Sequence, residues 1–336
     1  MTLEHGNNRS VESLPGVVGQ SAPMRLAADR VALIADTDAT CILLGETGTG
    51  KELFARAIHY LSARKHGPFV PVNCGAIPDH LFENELFGHK RGAYTDAQSS
   101  EVGLLAYGEN GTLFLDEVDA LSPSAQVKIL RVLQEREYRP VGSAHTVPAN
   151  IRVVAATNSN LLKRVEAHQF REDLYFRLNV LSLTIPPLRE RLDDVPMLAT
   201  HYVREYALAH KRSVTGFDDS VVATLQSYRW PGNVREFQAV VQRAVLTAKA
   251  SLLTSSDLDL PAAAPAASAH LTLKAAKSVA VTQCERSYLS AVLRRCEGNI
   301  TQAAKMAGKE RRSFQRLLRK YSITGLPFKG TTESGC

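Results

Sequence analysis

The sequence predicts an α/β fold with a doubly wound, mostly parallel sheet, then a helical subdomain, then a small all-α domain containing a helix-turn-helix. Three observations predict it. First, five short apolar runs each end in a polar residue: CILLGE (41–46), FVPVNC (69–74), LFLDE (113–117), VVAATN (153–158) and LSLTIPP (181–187). Helical patterns lie between most of them, and strands alternating with helices make a parallel sheet. Second, from about Leu188 to Leu258 the strand pattern stops and helices take over. Third, the C-terminal stretch reads helix, turn, helix, turn, helix.

Composition sets the class. At 336 residues the chain exceeds one ordinary core. With 44% hydrophobic and 22% charged residues it reads as a globular protein. No apolar run approaches the ~20 residues that cross a bilayer. The N-terminal MTLEHGNNRSVES lacks the apolar core of a signal peptide, so a cytoplasmic protein without a membrane partner is expected. Five cysteines (Cys41, Cys74, Cys284, Cys296, Cys336) are scattered without a CxxC pair, which argues against a disulfide framework or zinc site and fits a reducing compartment. The net charge of +6 is concentrated: between Glu285 and Lys320 ten Lys/Arg face three Asp/Glu. A basic segment on a nearly neutral body points to a polyanion partner at one end.

The expected organisation is a tail at 1–14, an α/β core at 15–187, a helical subdomain at 188–258 and a linker at 259–270. A helix-turn-helix domain at 271–324 and a frayed tail at 325–336 complete it. PAAAPAASAH (261–270) combines Pro, Ala and Ser without apolar periodicity, the composition of a linker.

The first strand leads into Gly45, Glu46, Thr47, Gly48, Thr49, Gly50, Lys51 and Glu52, and then into the helical ELFARAIHYLSA. Such glycines let backbone N–H groups turn inward around phosphate oxygens at a helix N-terminus, with Lys51 reaching the outer phosphates. The strict pattern ends in Ser or Thr, whose hydroxyl holds magnesium. Glu52 stands there instead, so the metal must lean on another carboxylate or on water. Asp116 and Glu117 end a buried strand. One acid can hold magnesium (Asp116) while the next (Glu117) polarises an attacking water. Thr157 and Asn158 end one predicted strand and Asn73 another; both asparagines would point into the same crevice and could orient water or a phosphate, although isolated asparagines are more often turn formers.

FREDLYFR (170–177) reads as a short helix. With Phe170 at zero, Leu174 falls at about 40° and Leu178 at about 80°, and Arg177 at about −20° lies on that apolar side. A charge there needs a partner, either an internal acid or a phosphate in a neighbouring subunit. Arg171, near 100°, sits at the stripe's edge. N-V-R-E at 233–236 reads as a capping box with Asn233 as N-cap, which puts Arg235 in a first turn, where a cation opposes the helix dipole and a phosphate would compensate.

In the last predicted helix Phe314, Leu317, Leu318 and Tyr321 gather within about 100°, and Arg312, Arg316 and Arg319 gather opposite. That layout buries one side and presents cations to a DNA groove. Arg311, Arg312, Gln315, Arg316 and Arg319 are the candidate contacts to double-stranded DNA.

From Val18 to about Leu258 the sequence resembles the AAA+ domain of the NtrC-like, sigma-54-dependent transcriptional activators. GETGTGKE, ELFGHKRGAYTDA, GTLFLDEVD, QEREYRPVGS, FREDLYFRLNV, PPLRER and RWPGNVRE carry the resemblance. The C-terminal helices resemble the Fis-like domain that ends such activators. The resemblance implies a P-loop NTPase whose 188–258 segment is a helical lid. It implies ATP bound by the loop of Lys51, with Mg2+, and Glu52 as the residue such activators carry after the lysine. Asp116 and Glu117 would be the Walker B acids, Asn73 the residue restraining Glu117, Thr157 and Asn158 sensor I, and Arg235 sensor II. Arg171 and Arg177 would enter the adjacent subunit's site, which makes the active unit a homo-oligomer assembling from dimer to hexameric ring.

The loop that contacts sigma factor in this family reads GAFTGA. Here Gly92, Ala93, Tyr94, Thr95, Asp96 and Ala97 read GAYTDA, with a charge where the family has glycine. Only residues 1–14 precede the AAA+ domain, so control by a separate regulatory protein, by expression level, or not at all is expected. The leading reading is an activator bound at an upstream activating sequence that uses ATP hydrolysis to remodel the sigma-54 RNA polymerase holoenzyme closed complex. The alternative is a sigma-54-independent DNA-binding regulator that retains the AAA+ fold for oligomerisation. A branch-migration or loader ATPase would have no use for an inserted GAYTDA loop.

Overall fold

All five predicted strands form, and they lie in one parallel sheet. The computed structural model describes residues 14–93, 99–260 and, towards the C-terminus, 285, 288–289, 292–293, 296 and 299–320. The chain begins with α1 (Ala22–Ala35), β1 (Cys41–Leu44), α2 (Lys51–Leu61), β2 (Phe69–Asn73), α3 (Asp79–Phe87), β3 (Gly88–His89), β4 (Glu101–Val102) and α4 (Leu104–Tyr107). It continues with β5 (Thr112–Asp116), α5 (Pro123–Glu135), β6 (Glu137–Tyr138), β7 (Val147–Pro148), β8 (Arg152–Thr157), α6 (Leu161–Glu166), α7 (Glu172–Leu178) and β9 (Leu181–Thr184). The main sheet has the order β2-β5-β8-β1-β9. Register sets Asn73 beside Asp116 and Leu44 beside Thr157, so the polar strand ends line one edge.

The sheet is buried on both faces, which explains why its strands read as apolar runs rather than alternating ones. Successive residues still point to opposite sides. Leu113, Leu115, Val153 and Ala155 join one core with Phe82, Ile129 and Leu174. Phe114, Val154 and Ala156 join another with Val31 of α1 and Phe54 of α2.

The helical subdomain comprises α8 (Val195–Ala209), β10 (Gly216–Phe217), α9 (Asp219–Ser227), α10 (Asn233–Thr247) and β11 (Leu252–Leu253). Its core centres on fully buried Trp230 and Phe237, whose rings lie 4.8 Å apart, and Trp230 Nε1 donates to Leu225 O at 2.8 Å. Truncating such a ring costs ~3–5 kcal/mol. The helical expectation misses the parallel pair β10–β11, because two residues are too few to show a period of two.

Two further expectations need correcting. Asn233 does not cap its own helix: it is the first residue of α10, at φ 52°, and Gly232 stands at the N-cap. The Glu236 carboxylate does reach back, accepting from Gly232 N at 2.8 Å. FREDLYFR is helical only from Glu172, with Arg171 at the N-cap. Measured from buried Leu174 and Leu178, Arg177 then falls about 80° from their mean direction, and it is exposed rather than beside the stripe.

The chain divides into two compact units at the Leu260–Pro261 junction, inside the predicted linker. In the second unit helix Ile300–Met306 is capped by Asn299, whose Oδ1 accepts from Thr301 N and Gln302 N at 3.1 and 3.2 Å. Gly308 at φ 60° makes the turn before helix Arg311–Lys320. Phe314 and Leu318 pack with Leu289, Val292, Ala303 and Ala304 in a core of their own. No helix among the described residues is long and apolar enough to cross a membrane.

Candidate functional site

The loop between β1 and α2 is built for a polyphosphate. Gly48 and Gly50 take φ 80° and 98°, values that L side chains rarely adopt. Gly50 leads directly into α2, so the loop delivers its N–H groups at a helix N-terminus. Lys51, the first residue of that helix, is nearly buried, and its Nζ donates to Gly45 O at 3.0 Å and Glu46 O at 3.2 Å. Burial pulls the Lys51 ammonium below its ordinary range, against the pull of the Asp116 and Glu117 carboxylates. An ammonium held in place but short of anionic partners fits a phosphate chain.

A crevice of about 360 Å³ opens there, lined by Thr47, Gly48, Gly50, Lys51 and Glu52 of the loop, by Asp116 and Glu117, and by Tyr202, Arg235 and Gln238 of the helical subdomain. Three of the predicted groups thus converge on it: the glycine loop with its lysine, the acidic pair and Arg235. Arg235 is exposed in the first turn of α10, as expected.

The acids are set by backbone. Asp116 closes β5, and its Oδ1 accepts from Glu117 N at 2.9 Å. Glu117 takes φ 55° and ψ 45°, a left-handed conformation that costs a non-glycine residue ~1 kcal/mol. That turn aims its carboxylate at Gly75, where any Cβ would collide with it. Asn73 is close to the same spot, but its Oδ1 accepts from Gly75 N and Ala76 N at 2.9 and 3.1 Å, and no Asn73–Glu117 hydrogen bond is present among the described residues. Asn73 therefore shapes the Gly75 turn that Glu117 overlies, rather than gripping Glu117.

The last residue of β8 and the one that follows it part ways. Asn158 Nδ2 donates to Thr47 Oγ1 at 2.9 Å, reaching the phosphate loop. Thr157, by contrast, is fully buried and donates to Asp119 Oδ1 at 2.6 Å, so it does not line the crevice. Asp119 also accepts from Ser159 Oγ at 2.7 Å and pairs with Arg164 at 3.5 Å. Burial raises the Asp119 carboxyl, but these donors outweigh it and hold the group below the usual carboxylate range.

Arg171 and Arg177 do not line this crevice. Arg171 is exposed and clasps Asp173 through Nε and Nη2 at 3.0 and 2.8 Å. Arg177 is exposed and has no hydrogen-bond or ion-pair partner among the described residues. Of the predicted contact loop, Gly92 (φ 81°) and Ala93 are described; Tyr94, Thr95, Asp96 and Ala97 lie outside the described residues. Ala93 rests against Gly142, where a side chain would clash.

In the second unit Arg311, Arg312 and Arg316 are exposed and Gln315 is half-buried; Arg312 and Arg316 lie on the helix face opposite buried Phe314 and Leu318. The side chain of Arg319, and Tyr321, lie outside the described residues.

Sequence reasoning missed Asp119, Arg189, the true use of Asn233, and Arg191, which is buried and donates through Nη2 to Thr49 O of the phosphate loop at 3.3 Å. Asp119 had a local signal, three residues past Asp116 in LFLDEVD. Arg189 and Arg191 stood in PPLRER, whose charges next to prolines hinted at buried or paired arginines.

Comparison with known proteins places the chain. Residues 17–184 match the family model described as Sigma-54 interaction domain, 189–274 the AAA+ ATPase lid domain, and 280–321 the bacterial regulatory protein, Fis family. The chain is 41% identical over 313 residues to the transcriptional regulatory protein GlrR of Escherichia coli (strain K12), covering 93% of this chain and 69% of GlrR. To ZraR of Salmonella typhimurium it is 40% identical over 299 residues, 89% of this chain and 67% of ZraR. The crystal structure of NtrX from Brucella abortus in complex with ATP superposes with a TM-score of 0.69 at 31% identity, over 91% of this chain and 70% of that one.

Proposed function

The chain belongs to the family of sigma-54-interacting AAA+ transcriptional regulators with a Fis-type DNA-binding domain, and from that premise we propose that it is an ATP-hydrolysing activator acting on sigma-54 RNA polymerase from an upstream DNA site. One observation carries the reading: Lys51 of the phosphate loop, the acids Asp116 and Glu117, and Arg235 of the lid face one crevice. In this reading the loop amides and Lys51 bind the β- and γ-phosphates of ATP. Asp116 would hold the magnesium, which supplies charge neutralisation on the phosphates. Glu117 accepts the proton of the attacking water. Arg235 reads the phosphate from the lid, and Asn158 from the loop side.

Arg177 is exposed and has no partner among the described residues, the condition for an arginine that stabilises the transferring phosphoryl group of a neighbouring copy. Arg171 would first have to leave Asp173. The active unit is then a ring. In the second unit the cations of helix Arg311–Lys320 meet the DNA.

The test is a complex trapped with ADP and fluoroaluminate, which stands in for the transferring phosphoryl group. The trapped protein should retain sigma-54, and Tyr94→Ala should release it with ATPase activity intact. Asp96 favours the second reading, a regulator independent of sigma-54, since burying an unpaired carboxylate against a partner costs several kcal/mol. That reading wins if the trapped protein never binds sigma-54 yet regulates promoters of the main sigma factor.

A further inference from the structure

Glu46 belongs to the phosphate loop, yet its carboxylate faces the lid and does not line the crevice. Arg189 donates to both of its oxygens, Nη1 to Oε2 and Nη2 to Oε1, each at 2.7 Å. Asn233, fully buried at the start of α10, donates its side-chain amide to Glu46 Oε2 and to Thr47 O, both at 3.1 Å. Its amide oxygen accepts from Leu188 N at 2.8 Å. One residue on, Gly48 O accepts from Val234 N at 3.0 Å and Arg235 N at 3.3 Å. A loop carbonyl thereby caps the helix that carries Arg235. Gly48 has no room for a side chain because Gly232 O lies against it.

These contacts make loop and lid one mechanical unit. Separating them breaks a bidentate arginine pair and strips a buried asparagine of its partners. We propose that Glu46 is a positioning residue, the latch by which Arg189 and Asn233 hold the phosphate loop against α10, so that Arg235 faces the crevice only while the latch is closed. The proposal rests on the reading of this crevice as an ATPase site and assigns Glu46 a duty there other than touching nucleotide. Both side chains of the ion pair are more than 40% exposed, so its contribution to stability is small. Its value is geometric, because a fork-to-fork pair fixes direction as well as distance. Arg189 and Asn233 hold the Glu46 carboxyl below the usual range, so it is ionised at neutral pH.

A double-mutant cycle of Glu46→Gln and Arg189→Gln in the full chain tests the latch. Amide hydrogen exchange at Val234 and Arg235, followed without nucleotide, should quicken several-fold in each single variant. The double variant should exchange no faster than the singles, because either change opens the same latch. With ATP, KM should rise several-fold while kcat moves less than two-fold. Exchange that stays at the wild-type rate in both singles, or effects that simply multiply in the double, would overturn the proposal. So would a fall in kcat at unchanged KM, which would put Glu46 on the reacting phosphate. A wild type that neither binds nor hydrolyses ATP would refute the ATPase reading alone, because the exchange measurement needs no nucleotide and still decides whether the latch exists.

Discussion

At the scale of the residue, the loop lysine and the second acid divide binding from turnover. Lys51→Ala removes the cation meant for the phosphates and should abolish nucleotide binding. Glu117→Gln keeps the left-handed turn over Gly75 and the shape of the side chain, so it should bind ATP and lose hydrolysis. Equal loss of binding in both variants, measured with a fluorescent nucleotide, would refute the role of Glu117. Carboxylates also set the acid limit. The Arg64 guanidinium, at 2.6 Å, holds the Asp38 carboxyl below its ordinary value, and Arg189 does the same for Glu46. A lowered folded-state pKa contributes stability that is complete above the unfolded value and is lost as pH falls through the folded one. Melting temperature should therefore decline below about pH 4, and Asp38→Asn should flatten that limb. A wild-type melting temperature independent of pH in that range would contradict it. Burial pushes the Cys41 and Cys74 thiols up to about 12, so both stay protonated and inert at neutral pH.

At the scale of the element, Arg312 and Arg316 of helix Arg311–Lys320 are exposed opposite buried Phe314 and Leu318, and on the proposed function they face a DNA groove. Arg312→Ala and Arg316→Ala should each weaken specific DNA binding by ~1–3 kcal/mol if they read bases, and less if they touch phosphate. Removal of residues after Pro261 should abolish that binding and spare basal ATP hydrolysis, because the chain divides into separate units at that point. A truncated protein that still selects the same operator would refute the assignment. Elements were also where the sequence was most legible. Each of CILL, FVPVN, LFLD, VVAAT and LSLT became a strand of the main sheet, since burial on both faces leaves an uninterrupted apolar run. The start of α7 was misjudged because Phe170, apolar and buried, fits a helical period without being helical.

At the scale of the whole molecule, Arg177, exposed and without a partner among the described residues, predicts communication between copies. Mixing Arg177→Ala with Glu117→Gln should recover part of the ATPase activity, since some interfaces then pair an intact arginine with an intact acid. No recovery at any ratio, with subunit exchange verified, would assign Arg177 a role within its own chain. The sequence by itself determined the fold class, the glycine loop, the acidic pair and the basic C-terminal helix, because each is written in residues a few positions apart. Spacing, turn chemistry and hydrophobic period are local, and local signals survive without a structure. Only the tertiary structure decided that Asn233 clamps the loop instead of capping its helix, that Thr157 serves Asp119, and that the loop residue Glu46 pairs with the lid. Glu46 meets Arg189 across 143 positions and Asn233 across 187, and no periodicity links residues that far apart. Their meeting is set by how the sheet and lid pack, and packing is a property of the folded chain.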